Sequence, residues 1–262
     1  MKIQDKIVKN NNSDNLWFTL NPGDIKVAEL GGDKALFRII PFDILLQMLS
    51  ERAITLVNTY RWDDVYENFI MKYDFIQHGK RIPVHFMEDR FYGLCWSSRM
   101  SSDALWRIYS PDKKSVRIKT TVGNIFGSIP KGSGDGVYLF GKVDYYSQAK
   151  IENDLKSVGI LNKDQLANLL LQSFFVKRNS FSHEAEYRLI FMSNNLHGEI
   201  HGLKQLPIDP LSFIENIYFD PRVDDSYVSR CTKVLVDCFG YPQKKVYKSS
   251  LYSFKPLRFE LK

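Results

Sequence analysis

Glu184 and Glu186 stand two residues apart in the stretch FSHEAEYRLIF, residues 181–191. On a strand, alternate side chains share a face. Glu184, Glu186 and Arg188 then fall on one side, and Ala185, Tyr187 and Leu189 on the other. At a strand's rise per residue the two glutamate Cβ atoms lie roughly 7 Å apart. Two acids that close repel, so the arrangement requires a counter-charge, a ligand or solvent. An exposed face with a Glu–Arg ladder meets that requirement cheaply. So does a site, because a carboxylate can stabilise developing positive charge or take up a proton.

Two other features could do chemistry. Arg38 sits inside the apolar strand KALFRII, residues 34–40. It either stands on an exposed strand face or, if desolvated, needs an anion: a core carboxylate or the phosphate of a ligand. The strand FYGLCWSS, residues 91–98, ends in Ser97 and Ser98. Such serines are ordinary strand-end turn residues or hydrogen-bonding groups of a site.

In chain order, Arg38, Ser97 and Glu184-x-Glu186 resemble the Arg–Ser–Glu-x-Glu pattern of the ADP-ribosyltransferase superfamily. More locally, the segments LFRII, WDDVYEN, CWSSRMSSDALWRIYS and EAEYRLI resemble a bacterial domain family of unknown function. That family includes proteins similar to phage-defence and toxin–antitoxin toxins, among them one type that modifies RNA. The resemblance runs from about residue 34 to residue 192, and WSSR stands where the superfamily usually has Ser-Thr-Ser.

The resemblance implies an α+β fold, with ADP-ribosyltransferase-like mixed and antiparallel sheets around a cleft and peripheral helices. It implies one such domain over residues 1–262, with residues 1–33 as an arm or leading strands. It implies NAD as co-substrate and no metal. Arg38 would grip its pyrophosphate. Glu186 would stabilise the oxocarbenium-like transition state formed as nicotinamide leaves. Glu184 would orient or deprotonate the acceptor. Ser97, with Ser98 beside it, would hold Glu186 or the nicotinamide ribose. Tyr60, Trp62, Trp96 and Trp106 are the candidates to stack on the nicotinamide ring, Tyr60 and Trp62 first, although most of these read equally as core and Trp62 could cap it. The loop before the acids carries Lys177, Arg178, Asn179 and Phe181, and it would meet the target. Bases and an aromatic there suit single-stranded nucleic acid, RNA first, whereas helix-end bases also simply complement a macrodipole. An antitoxin partner would accompany a toxin. The alternatives are an NAD glycohydrolase, a transferase acting on protein, and an inactive nucleic-acid-binding protein.

Composition sets the background. The chain has 262 residues, a formal net charge of +6 and 14% aromatic residues. That charge leans toward an anionic partner. Three scattered cysteines and five scattered histidines give neither a disulfide framework nor a zinc-ligand spacing. No GxGxxG follows a strand, and no P-loop or G-x-S-x-G elbow is present. No leader and no membrane-spanning run is evident, so a cytoplasmic setting is expected.

The elements that must position these residues read as follows. Strands are expected at 34–40, 53–59, 91–98, 114–122, 137–146, 181–191, 214–220 and 245–252. Helices are expected at 41–53, 101–110, 163–178 and 224–241, the last closed by Gly240. Residues 66–90 are charged and read as helix or loop, and GSGDG, residues 132–136, as a hairpin turn.

Overall fold

The computed structural model describes residues 18–20, 31–64, 66–67, 69–82, 89–130, 135–157, 159, 162–195 and 202–260. Most of the leading arm, most of the GSGDG turn, and His85, His197 and His201 lie outside the described residues.

The first part of the chain gives β1 (Phe18–Leu20), β2 (Ala35–Ile40), α1 (Phe42–Glu51) and β3 (Ala53–Asn58). Short 3-10 turns follow at Thr59–Arg61 and Phe69–Lys72, then the small hairpin β4 (Phe75–Gln77) and β5 (Lys80–Ile82). Next come β6 (Phe91–Ser97), α2 (Asp103–Tyr109), β7 (Val116–Thr121) and α3 (Val122–Ser128). The middle continues with β8 (Gly136–Lys142), β9 (Asp144–Tyr146), α4 (Gln148–Ser157), α5 (Lys163–Ser173) and β10 (Val176–Arg178). A 3-10 turn at Asn179–Glu184 leads into β11 (Glu186–Ser193). The chain closes with β12 (Leu203–Pro207), α6 (Pro210–Phe213), β13 (Asn216–Phe219), α7 (Asp225–Phe239) and β14 (Val246–Lys248). The architecture is α+β.

Local chemistry sets several boundaries. Ser102 caps α2 by accepting from the Leu105 N–H, and Asn162 with Gln165 forms a capping box on α5. Gly240, at φ 64°, ends α7 in the left-handed conformation that only glycine adopts without strain. The expected helix over 163–178 stops at Ser173. Its last three residues become β10, which pairs in parallel with β9. The expected strand over 181–191 begins only at Glu186.

Ten strands form one sheet, ordered β1-β8-β11-β6-β2-β7-β13-β14, with β3 and β12 attached beside β6. All its pairings are antiparallel except β13 with β14. One edge of β6 therefore serves two neighbours. β3 pairs with Tyr92 and Gly93, and β2 meets β6 only where Phe37 faces Ser97. Leu94, Cys95 and Trp96 lie between these pairings, and the sheet splits there into two wings.

Period-2 alternation sends Leu94, Trp96, Leu189, Phe191, Leu36 and Ile118 to one face, in the larger core. The other face carries Phe91, Leu139, Ile190 and Met192, covered by Leu170, Phe174 and the turn at residues 69–71. This cover stops short of the end of β6 and β11. Toward the split the same face carries Phe37, Cys95, Ser97, Glu186 and Arg188, of which Arg188 is fully buried.

Candidate functional site

A cleft of about 160 Å³ opens at the split. β2 supplies Phe37, Arg38 and Ile39, and β6 supplies Cys95, Trp96 and Ser97. Glu184 and Glu186 form its acidic end, and α2 contributes Leu105, Trp106 and Tyr109. Arg38, Ser97 and both glutamates thus meet, although they are far apart in the chain.

The acids do not sit as neighbours on a regular strand. Ala185 between them is left-handed, at φ 47°, a conformation that costs a β-carbon residue about 1–2 kcal/mol. The serines brace this turn. Ser97 Oγ donates to the Glu184 carbonyl at 2.6 Å, and Ser98 Oγ donates to the Ala185 carbonyl at 3.1 Å. Ser97 was expected to hold Glu186 or the nicotinamide ribose; among the described residues its hydroxyl donates to the Glu184 carbonyl instead of to Glu186. Ser97 still lines the cleft, while its hydroxyl proton holds the acidic turn in place.

Glu186 is buried. Its Oε2 accepts from Arg188 Nη2 at 2.6 Å and Nε at 3.1 Å, with Lys177 Nζ at 3.7 Å. Burial by itself would raise its pKa, but Arg188 and then Lys177 outweigh it and hold the carboxyl below its usual value. Arg188, fully buried, also binds Glu67 and donates to the Phe174 carbonyl at 2.7 Å. Glu184 has both oxygens engaged: Oε1 accepts from Tyr109 at 2.7 Å and Oε2 from Lys177 at 2.6 Å. Lys177 reaches Glu67 as well, at 3.2 Å. Burial would lower the Lys177 pKa, but Glu186, Glu67 and Glu184 together hold it above its usual range. Three carboxylates and two cations therefore interlock behind the cleft.

The expected target loop is arranged differently. Lys177 points inward to the glutamates with its ammonium over Phe181. Arg178 binds Asp64 at 2.6 Å and stacks on Tyr66. Of the four loop residues, only Asn179 is exposed. The reason is β10, whose pairing to β9 turns this segment toward the sheet. The aromatic expectations also change. Trp62 lies over the Arg188 guanidinium, 4.4 Å from ring centroid to Cζ, and Tyr60 is exposed and outside the cleft lining. Trp62 is seated on Gly93, where a Cβ would come within 2.3 Å of its ring. Gly93→Ala is therefore expected to cost about 1–3 kcal/mol of stability by overpacking. A lowered midpoint in urea denaturation would register this.

Arg38 springs from the same face as Leu36 and Ile40, opposite the glutamates, and reaches the cleft through the split. There Nη1 donates to the Cys95 carbonyl at 2.9 Å, on the β6 edge that no strand pairs. Among the described residues no carboxylate lies within ion-pairing distance of Arg38. Burial pulls its pKa down, the mark of a guanidinium short of an anion.

Several site residues had no assigned role in the sequence reading. Glu67 and Asp64 belong to WDDVYEN, whose acid spacing was visible, but nothing marked them as partners of Arg188 and Arg178. Tyr109 and Arg117 gave no signal beyond their elements. Among the described residues no group of His, Cys, Asp and Glu is arranged to hold a metal ion, and no helix is long and apolar enough to cross a membrane.

No family model matches this chain, and no curated protein matches it. Among solved structures it is similar to Thermus sp. 2.9 DarT in complex with NAD+, at 12% identity and a TM-score of 0.39, over 82% of this chain and 95% of that one. The same protein in complex with ADP-ribosylated ssDNA gives 12% and 0.39, over 82% and 94%. Its complex with carba-NAD+ gives 10% and 0.35, over 82% and 95%.

Proposed function

We propose that this chain is an NAD-dependent ADP-ribosyltransferase that passes ADP-ribose to nucleic acid, RNA first, as the toxin of a bacterial defence system. One observation carries the reading: Arg38, Ser97 and Glu186 converge on one cleft. The anionic end is Glu186, kept ionised by Arg188 and Lys177. The cationic end is Arg38, which has no carboxylate partner among the described residues. A cavity of about 150 Å³ holds one aromatic ring, so a cleft of 160 Å³ takes a part of NAD rather than the whole dinucleotide. Loss of nicotinamide leaves positive charge on the ribose, and Glu186 is positioned to stabilise it.

The choice of nucleic acid rests on the net charge of +6 and on exposed Arg99 at the cleft rim. Purified protein with NAD and RNA is expected to release nicotinamide and add one ADP-ribose mass to the RNA. No release of nicotinamide sinks the reading. A second reading has a specific observation in its favour. Both Glu184 oxygens are engaged and Lys177 and Arg178 are turned inward, so the acceptor side lacks the free base and loop first expected. Water would then be the acceptor, and mass spectrometry would find free ADP-ribose and unmodified RNA.

A further inference from the structure

Arg117 is a second cation of the cleft, contributed by β7. It projects from β7 opposite Ile39, on the face that carries Phe37. Its guanidinium lies among the Phe37, Trp106 and Tyr218 rings, with Cζ at 5.3, 5.7 and 4.6 Å from their centroids. The residue is only 6% exposed. Nη1 donates to the Met100 carbonyl. Nε is buried with no hydrogen-bond partner among the described residues, and so is Nε1 of neighbouring Trp106. Among the described residues no carboxylate lies within ion-pairing distance of Arg117.

A buried, permanently charged guanidinium without a counter-ion is a costly arrangement. The aromatic cage offsets part of that cost by cation–π attraction. It leaves Nη2 without a bond to a described residue, while Nε is closed off from solvent. A charged guanidinium with a donor left over is a strong partner for a phosphate oxygen. Arg38 stands in the same cleft, also without a carboxylate. Burial lowers the pKa of both guanidinia, in keeping with sites that await an anion.

We infer that Arg117 binds a phosphate of the dinucleotide donor, so that the pyrophosphate is held by Arg117 as well as by Arg38. This rests on the reading of the cleft as an NAD site. The phosphates of a nucleic-acid acceptor are the other source of the same chemistry. The donor is favoured because Arg117 is buried inside the cleft rather than exposed on its rim.

The test measures binding of ADP-ribose, of nicotinamide riboside and of a single-stranded RNA oligonucleotide by calorimetry. It uses the intact chain, Arg117→Met and Arg117→Lys, with melting temperatures as the control for folding. Arg117→Met is expected to weaken ADP-ribose at least tenfold, with nicotinamide riboside and RNA changed less than twofold. In turnover, KM for NAD rises at least tenfold while kcat stays within threefold. Arg117→Lys, which keeps the charge and loses the fork, falls between and serves if the methionine variant fails to fold. Wild-type protein that binds ADP-ribose equally well as Arg117→Lys and Arg117→Met overturns the inference and leaves the NAD reading standing. Loss of RNA binding in place of ADP-ribose binding overturns it too. Wild-type protein that binds neither ADP-ribose nor NAD overturns both.

Discussion

Glu186→Gln is expected to lower kcat for nicotinamide release by about 10²- to 10³-fold, the effect of removing one preorganised electrostatic partner of a transition state. The substitution keeps the size and hydrogen-bonding outline of the side chain and removes its charge. Hydrolysis and transfer should fall together, because both need the ribose to bear positive charge. The pH profile gives a second check. Arg188 and Lys177 hold the Glu186 carboxyl below its usual range, so its ionisation should not limit the wild-type rate between about pH 7 and 5. A variant that releases nicotinamide at the wild-type rate would remove Glu186 from the mechanism.

The largest effect on stability is expected from Arg188→Met. Arg188 is fully buried and neutralises Glu186 and Glu67 while bonding the Phe174 carbonyl. Removing one partner of a buried ion pair costs about 3–5 kcal/mol, a large share of a domain's usual stability of about 5–15 kcal/mol. The sign of the pH dependence follows from the depressed Glu186 pKa. The stability this group contributes is present above its unfolded pKa and is lost as pH falls through the folded value. In Arg188→Met the same carboxyl is buried with less compensation, so protonation relieves it. The gap between variant and wild type should be widest near pH 7 and should narrow below about pH 4. Urea denaturation at both pH values measures it. A gap independent of pH would mean that Arg188 supports the fold through its packing against Trp62 rather than through charge.

The positions of Arg38, Ser97 and Glu186 on strands were legible because each sits in or beside an apolar run bounded by turn residues. Gly240 as the stop of α7 was legible for the same kind of local reason. What failed to show was pairing. Lys177 looks like a helix-end base because the apolar stripe of 163–174 continues into Phe175 and Val176. Only the distant strand β9 converts those residues into β10 and turns the lysine inward. Trp62 looked free to stack on a ligand, and its partner, Arg188, lies far along the chain. Glu67 read as a loop acid like any other, since no local pattern distinguishes an exposed acid from one buried on a guanidinium. Ser97 and Ser98 were placed correctly as strand-end residues. Their bonds to the Glu184 and Ala185 carbonyls depend on the β6–β11 register, which a single strand does not disclose.

The split beside β6 has one consequence for how such a site can change. Two wings of sheet that meet at the Phe37–Ser97 pairing supply part of the cleft wall, and α2 supplies another part. A change in the angle between the two wings would therefore change the width of the gap. Repacking under β7 and β13, remote from the acids, would act like a lever arm on the aperture and alter which donors fit. Of the interlocked charges Glu186 and Arg188 stand on one wing, at β11, while Lys177 on β10, Glu184 in its turn and Glu67 reach them from outside that sheet.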